Sequence, residues 1–214
     1  MKISVIMPSF LGDFDGCAPN RNQKFIRSVN SFISQTWADK ELIIISDGCV
    51  ETNQRVEKYF KSFLKSGEIK LIKLSFQHGF RGVTRQQGID AATGEILINL
   101  DTDDYYLPYH LRNIALDFDT DKLDWVYFNH ITKPDNIRIE YWNDCKLEEG
   151  KICNANYAWK KGIDVTWNNC DGKQDNKLFT KQLMDNFPHR KKIYGCGYVV
   201  GHISFQHVKN EDRG

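Results

Sequence analysis

The chain has 214 residues, of which 41% are hydrophobic and 13% are aromatic, and its formal net charge is +1 at pH 7. This length and composition predict one folded domain with a packed core and exclude a largely disordered chain. The near-neutral charge gives no general attraction to nucleic acid or to anionic lipid, so we expect no nucleic-acid partner, and any anion site has to be local.

The sequence shows no pattern typical of a signal peptide or of a membrane span. Its first apolar run is too short for a signal peptide, and no stretch approaches the roughly 20 apolar residues that cross a bilayer. The six cysteines form no Cys-x-x-Cys pair, which indicates reduced thiols rather than a disulfide framework or a zinc site. We therefore expect a cytoplasmic protein without a transmembrane segment, with peripheral membrane association left open.

The first half of the chain alternates the patterns of strands and helices. Continuous apolar runs predict buried strands, and apolar residues at helical spacing predict amphipathic helices. In chain order the pattern predicts a strand at 2–7, a loop at 11–22, a helix at 23–37, a strand at 41–45, a helix around 56–64 that stops at Gly67, a strand at 69–74, a helix at 82–92 and a strand at 95–100. This order predicts an α/β fold with a mainly parallel sheet covered by helices, in which ligands bind beyond the carboxyl ends of the strands.

The second half is predicted to be less regular. A helix at 107–118, a strand at 125–129, a segment at 137–142 that can pair with this strand, and a helix at 177–187 are the predicted elements. Tryptophan and tyrosine are frequent between Tyr141 and Trp167. Such aromatic residues suit a platform for a sugar ring, but a buried region has the same composition, and both interpretations fit the sequence.

The strongest chemical signal is an acidic run, Asp101-Thr102-Asp103-Asp104, directly after the fourth predicted strand. Three carboxylates brought to one point repel each other, and a divalent cation removes this repulsion. Oxygen ligands suit Mg²⁺ or Mn²⁺, and such an ion can bridge a diphosphate and stabilise the charge on a departing nucleotide. The alternative is a solvated acidic turn at the start of the next helix.

Two more polar segments are predicted at the same edge of the sheet. Asp47 ends the second strand and offers a carboxylate to a nucleobase or ribose, although Asp47-Gly48 is also an ordinary turn pair. Residues 79–88 place glycines and two arginines at the start of a helix, where Arg81 or Arg85 can bind a phosphate. An exposed arginine on a solvated helix is the alternative, and the segment is neither a dinucleotide fingerprint nor a Walker A loop.

In order and spacing, these segments resemble the family 2 glycosyltransferases of the GT-A fold. The matching segments are residues 5–10, 28–29, 35–37, 41–49, 84–88, 92–95 and 100–104. The resemblance implies a Rossmann-like GT-A domain over 1–214, in which 1–104 bind a nucleotide sugar and 105–214 bind the acceptor. It also implies an enzyme that moves a hexosyl or related group from a nucleoside-diphosphate sugar, expected to be a UDP-sugar, to a glycan, lipid-linked or other hydroxyl acceptor.

The resemblance also assigns roles in the donor site. It implies that Pro8, Ser9 and Asp47 hold the nucleoside and that Arg85 lies near the donor. Asp101-Thr102-Asp103 corresponds to the family's Asp-x-Asp motif, in which Asp101 and Thr102 contact the donor, and Asp103, together with Asp101, holds Mn²⁺ or Mg²⁺. His202 and His207 are candidates for a further metal ligand.

A second acidic position carries the proposed chemistry. Gln174-Asp175 precedes a predicted helix and is similar to the family's Glu-Asp motif. In that family the second acid of this motif is the general base, so the resemblance makes Asp175 the candidate. The resemblance also implies inversion at the anomeric carbon, which needs a carboxylate that takes the proton of the acceptor hydroxyl. The alternative is that Asp175 only caps the helix.

Departures from the family pattern keep one other class of protein open. Ser46 stands where the family has an acid before Asp47, and Gln174 stands where it has a glutamate. The alternative function is therefore a catalytically inactive GT-A-like module that binds nucleotide or carbohydrate. A phosphatase of the haloacid-dehalogenase type is disfavoured, because its Asp-x-Asp motif follows the first strand rather than the fourth.

Overall fold

The computed structural model describes residues 1–14, 17, 20–79, 81–120, 122–133, 141–148, 151–167 and 175–201, and at 120, 141, 142 and 175 it describes the backbone alone. No helix within these ranges is both long enough and apolar enough to cross a membrane. Every cysteine in the same ranges is a free thiol, as the sequence predicts.

The first half alternates strands and helices in the predicted order. Its elements are β1 (Ile3–Ser9), α1 (Arg21–Ile33), β2 (Lys40–Ser46), α2 (Val50–Tyr59), α3 (Lys61–Ser66), β3 (Ile69–Lys73), α4 (Arg81–Ala91) and β4 (Ile96–Asn99). The helix predicted around 56–64 is in fact two helices, because the backbone leaves the helical region at Phe60 (φ −124°, ψ 23°). Gly67, at φ +80°, ends the second of them, in a left-handed conformation that glycine adopts without steric cost.

The second half contains more strands than the sequence indicates. Its elements are β5 (Tyr105–Tyr106), α5 (His110–Thr120), β6 (Trp125–Thr132), β7 (Tyr141–Asn143), β8 (Tyr157–Lys160), α6 (Asp175–Asn186) and β9 (Arg190–Val200). β7 pairs with β6, as expected for the segment at 137–142, although residues 137–140 lie outside the described ranges. β5, β8 and β9 have no counterpart among the predicted elements.

One sheet runs through both halves, in the order β3-β2-β1-β4-β8-β6-β9-β5. The first four strands are parallel. β8 then joins the halves, because it pairs antiparallel with β4 on one side and with β6 on the other. The predicted α/β architecture, a parallel first half followed by a mixed second half, is therefore confirmed.

Both faces of the sheet are buried, as parallel strands require. Along β1, Ile3, Val5 and Met7 pack on one face with α1 and α5, while Ile6 packs on the other face. That second face is covered by α4, which packs on β1 and β2, and by residues of the second half that include several aromatic side chains. Tyr157, Trp159 and Trp167 are each no more than 1% exposed. The aromatic residues whose side chains are described in this region therefore build the core, and the sugar-platform interpretation is wrong for these three.

The strand register brings three strand ends to one edge. Ser9 of β1 pairs with Ser46 of β2, and Ile6 of β1 pairs with Asn99 of β4. The residues that follow these strands, including Asp47 and Asp101, therefore emerge side by side at the carboxyl edge of the sheet.

Candidate active site

A cleft of about 380 Å³ opens at this carboxyl edge. It brings together residues from the end of β1, the loop after it, the end of β2, the start of α4 and the segment after β4. Its lining consists of Pro8, Ser9, Phe10, Phe14, Cys17, Arg21, Asp47, Gln77, Gly79, Arg81, Thr84, Asp101, Thr102 and Asp103. Seven candidates named from the sequence thus meet at one surface: Pro8, Ser9, Asp47, Arg81, Asp101, Thr102 and Asp103.

Asp101 is held by a protein donor on each carboxylate oxygen. Arg85 Nη2 donates to Oδ1 at 2.9 Å, and Asn154 Nδ2 donates to Oδ2 at 2.8 Å. Burial opposes ionisation of this carboxyl group, but the charges of Arg85 and Arg81 and the bond from Asn154 outweigh it and lower the pKa of Asp101. The side chain is therefore an oriented, ionised carboxylate at neutral pH.

Arg85 lies beneath Asp101 instead of facing the cleft. It is 1% exposed, and its guanidinium lies over the ring of Trp167, 5.0 Å from the centroid. Arg81, one turn earlier in α4, lines the cleft. Of the two arginines that the sequence offered as phosphate ligands, Arg81 faces the ligand space and Arg85 supports the acidic residue.

The acidic run separates into two groups. Asp103 lines the cleft, and its backbone carbonyl accepts a hydrogen bond from Arg27. Asp104 is 2% exposed and accepts hydrogen bonds from the Tyr198 hydroxyl and the Gly201 amide, both at 2.9 Å. The expected convergence of three carboxylates at one point is wrong for Asp104, because Tyr198 of β9 and Gly201, directly after β9, supply it with buried donors.

Tyr198 connects the two groups. Its hydroxyl donates to Asp104 and accepts a bond from the Asp101 amide at 3.3 Å. Burial, followed by the negative charges of Asp104 and Asp101, raises the pKa of Tyr198 well above its ordinary value. The phenol therefore keeps its proton and fixes the backbone of the acidic run.

Asp47 lines the cleft and also anchors the segment before α4. Its Oδ1 accepts from the His78 amide at 2.9 Å, and its Oδ2 accepts from the Gly79 amide at 3.2 Å. Gly48, at φ +63°, permits this approach, since a Cβ atom there would lie 2.5 Å from the Gln77 nitrogen. Asp47 thus shapes the cleft wall where the sequence predicts nucleoside binding.

The candidate general base and the candidate histidines lie at the border of the described residues. Asp175 is the first residue of α6, which begins two residues before its predicted start. Gln174, His202 and His207 lie outside the described ranges. Gly201 packs closely on the acidic run, because a Cβ atom there would lie 2.7 Å from the Asp103 carbonyl oxygen.

Asn154 is the residue of this site that sequence reasoning missed. It is 6% exposed, donates to Asp101 and accepts from Asn176 Nδ2 at 3.0 Å. It stands in a segment without apolar periodicity or a recognisable motif. Only the tertiary structure brings it to the end of β4.

The residues that face the cleft suit a metal ion completed by a substrate. Among the described residues, no group of three or more His, Cys, Asp or Glu side chains could hold a metal by itself. Asp103 and Asp101 line the cleft, and each oxygen of a carboxylate retains acceptor capacity beyond one hydrogen bond. Mg²⁺ is commonly bound by one or two carboxylates together with substrate phosphates and water, so this donor set fits such an ion.

A cleft at the carboxyl edge of a parallel sheet, with an Asp-x-Asp motif after the fourth strand, is the arrangement of a GT-A nucleotide-binding domain. Residues 4–191 match Glycosyl transferase family 2, and the chain belongs to this family. The family predicted from the sequence motifs is thereby confirmed.

Curated relatives share part of their length with this chain. The uncharacterised glycosyltransferase YibD of Escherichia coli is 30% identical over 133 residues, which cover 59% of this chain and 35% of YibD. The glucosyl-dolichyl phosphate glucuronosyltransferase of Haloferax volcanii is 29% identical over 105 residues, covering 48% of this chain and 29% of that enzyme. The similarity thus spans about a third of each relative.

Solved structures share the fold. TarS of S. aureus in complex with UDP superposes with a TM-score of 0.76 and 20% identity, covering 94% of this chain and 60% of the TarS chain. The mannosyltransferase PcManGT of Pyrobaculum calidifontis, in complex with GDP-Man and Mn²⁺, gives a TM-score of 0.65 and 13% identity, covering 93% and 56% of the two chains. These likenesses confirm the predicted GT-A fold.

Proposed function

We propose that this domain transfers a sugar from a nucleoside-diphosphate sugar to a hydroxyl group of an acceptor, with the help of a divalent cation and with inversion at the anomeric carbon. The observation that carries the proposal is the cleft that Asp101, Asp103 and Arg81 line together. Membership of family 2 supports a sugar transfer. The UDP and UDP-GlcNAc complexes of TarS support a UDP-sugar as donor.

Different residues of the cleft would bind different parts of the donor. Asp47, with Pro8 and Ser9, forms the wall that would hold the nucleoside. Arg81 offers a guanidinium at the N-terminal end of α4, where a diphosphate is favoured. Thr102, in the chain segment that follows β4, lines the same cleft.

The cation belongs beside Asp103, with Asp101 as the second carboxylate. A Mn²⁺ or Mg²⁺ ion bound there would neutralise charge on the departing diphosphate. Asp101 can serve without reorientation, because Arg85 and Asn154 already fix its plane. His202 follows Gly201, which packs on the Asp103 carbonyl, and we propose it ahead of His207 as a further ligand.

Asp175 is proposed as the general base. Its carboxylate takes the proton of the acceptor hydroxyl as the acceptor oxygen bonds to the anomeric carbon. The bond from that carbon to the diphosphate oxygen breaks on the opposite side, and its electron pair leaves with the nucleoside diphosphate. We expect the acceptor to be a carbohydrate or a lipid-linked sugar, and the free thiols of the described cysteines are typical of a cytoplasmic protein.

A panel of UDP- and GDP-sugars with Mn²⁺ tests this function through donor binding and turnover. We expect Asp103→Asn to abolish the Mn²⁺-dependent part of donor affinity, because it removes a carboxylate ligand.

We expect Asp175→Asn to lower turnover by about 10²- to 10⁴-fold while donor affinity is unchanged, as for loss of a general base. Asp185→Asn is the matched control, since Asp185 also lies on α6 but is half exposed and pairs only with Lys181 in the described contacts.

Three results would contradict parts of the proposal. Metal-dependent nucleotide binding without turnover over a broad acceptor panel would indicate the inactive binding module. Unchanged Mn²⁺-dependent affinity in Asp103→Asn would remove this residue from the metal site. Full turnover in EDTA would remove the cation from the reaction.

A further inference from the structure

The two side chains that donate hydrogen bonds to Asp101 are each connected to helix α6 by a further contact or chain of contacts. Asn154, which donates to Oδ2 of Asp101, accepts a hydrogen bond from Asn176 in the first turn of α6. Arg85, which donates to Oδ1, lies over the ring of Trp167. Trp167 in turn stacks on Phe179 of α6, with 4.3 Å between ring centroids and 12° between ring planes.

The two hydrogen bonds that link Asp101 to Asn154 and Asn154 to Asn176 form what we call the asparagine bridge. The donor and the acceptor of each bond are fixed by chemistry. An ionised carboxylate only accepts hydrogen bonds, so Asn154 has to present its amide nitrogen to Asp101. Its amide oxygen then faces Asn176, which has to donate, and the observed distances of 2.8 and 3.0 Å agree with this order. The charge on Asp101 thus sets the orientation of both amides, and charged acceptors make the stronger hydrogen bonds.

Neither asparagine lines the cleft. Asn154 is almost fully buried, and Asn176 is half-buried at the helix start. Asp175 directly precedes Asn176 and opens α6. A shift of the first turn would therefore move Asp175 and stretch the Asn154–Asn176 bond together.

We infer that Asn154 and Asn176 are positioning residues that fix the start of α6, and with it Asp175, to the metal-side aspartate Asp101. The inference rests on the proposed function, since it assigns Asp175 to the acceptor proton and Asp101 to the donor. Binding of a nucleoside diphosphate and a cation in the cleft beside Asp101 steadies the first turn of α6 through this bridge. Placement within about 1 Å matters here, because misplacement on that scale can cost about 100-fold in rate.

Hydrogen–deuterium exchange of α6 tests the bridge without any need for turnover. In the wild-type protein, UDP with Mn²⁺ is expected to slow exchange of the amides in the first two turns of α6. Asn176→Ala, and the isosteric Asn176→Asp, which replaces the donor by an acceptor, are expected to bind UDP and Mn²⁺ within about twofold of wild type but to lose this protection. Asn113→Ala is the control, because Asn113 lies on α5, away from the bridge, and the change removes a 2.7 Å hydrogen bond to the Gly195 carbonyl of β9.

Kinetics supply the second readout. Asn176→Ala is expected to lower kcat about tenfold or more with the donor KM unchanged, a split that general destabilisation does not produce. Because Asn154 and Asn176 act through one bridge, kcat of the double alanine variant is expected to be no lower than that of Asn154→Ala alone.

The inference is overturned if UDP with Mn²⁺ gives the wild-type α6 no protection, or if both Asn176 variants keep protection and kcat. Multiplicative losses in the double variant would also overturn it. If the wild-type protein binds UDP without turnover, the proposed function fails, while the exchange data still decide the bridge.

Discussion

Asp101 and Asp104 are three residues apart, and the structure uses their carboxylates differently. Asp101 keeps acceptor capacity toward the cleft while Arg85 and Asn154 hold it. Asp104 receives its donors from Tyr198 of β9 and from Gly201 directly after it. The acidic run, which the sequence suggests is one cluster, therefore consists of two residues that line the cleft, Asp101 and Asp103, and one residue with a buried side chain, Asp104.

Glu41 is a second carboxylate with a purely internal environment. It is 0% exposed and accepts hydrogen bonds from Ser4, Thr93 and Lys2, with Lys70 Nζ 2.8 Å away. Burial opposes its ionisation, but the bonds from Lys70, Ser4 and Thr93 outweigh it and lower the pKa of Glu41 far below its ordinary value of 4.5. The ionised carboxylate of Glu41 therefore stabilises the folded state relative to the unfolded state.

We predict that Glu41→Gln lowers the free energy of unfolding by about 2 kcal/mol at pH 7. Because the folded-state pKa is depressed, this contribution is fully present above about pH 4.5 and is lost as the pH falls from there toward the folded-state value. Urea unfolding of both proteins between pH 7 and pH 3 should show their difference narrowing below pH 4.5.

Glu57→Gln is the control for this prediction. Glu57 pairs with Lys73 on the surface, both half exposed, so its replacement should change stability by less than about 0.5 kcal/mol. A wild-type-to-Glu41→Gln difference that does not vary with pH would contradict the charge argument.

At the scale of elements, the first half could be predicted because each of its strands is a continuous apolar run. β8 and β9 could not, because neither is such a run: β8 has only three apolar residues before Lys160. β9 begins with charged residues and contains Gly195 and Gly197, which in the sequence indicate a loop. Gly197 is required there by contact, because a Cβ atom would lie 2.5 Å from Cβ of Leu107.

The candidate site likewise contains residues that could be placed from the sequence and residues that could not. Pro8, Ser9, Asp47 and the Asp101–Asp103 segment follow predicted strands, so topology alone brought them to one edge. The choice between Arg81 and Arg85 depended on which face of α4 packs inward, and Asn154 depended on the path of the second half. Those details come from tertiary packing, which the sequence pattern does not encode locally.

Helix α4 supplies a prediction at this scale. Gly88 lies where α4 packs on the sheet, and a Cβ atom there would lie 2.5 Å from Ile6 Cγ2 and 2.9 Å from Ile45 Cδ1. We predict that Gly88→Ala destabilises the protein by about 1–3 kcal/mol through overpacking, although alanine is the better helix former. Thermal or urea unfolding measures the change.

Gln87→Ala, on the exposed face of the same helix, should be neutral or slightly stabilising by its helix propensity. Equal stability of Gly88→Ala and wild type would show that α4 lies farther from β1 and β2 than the structure places it.

For the whole molecule, the donor site predicts a linkage between ligand binding and thermal stability. UDP with Mn²⁺ at a hundredfold excess over Kd should add about 2.7 kcal/mol to the free energy of unfolding. For a domain of this size that corresponds to a rise in Tm of about 5–10 °C. Scanning fluorimetry should show the rise with wild type and its loss in EDTA or in Asp103→Asn, whereas an equal shift in EDTA would contradict a metal-assisted site.

The pairing of β8 with β4 limits how far the two halves of the chain can move relative to each other. β8 bridges the parallel half and the mixed half through backbone hydrogen bonds on both of its edges. A hinge motion that separates the two halves would have to break the backbone hydrogen bonds of β8, in the middle of the sheet. The sheet beneath the cleft is therefore expected to stay rigid, and the segment from His78 to Gly79 at its rim is tied to the end of β2 through Asp47.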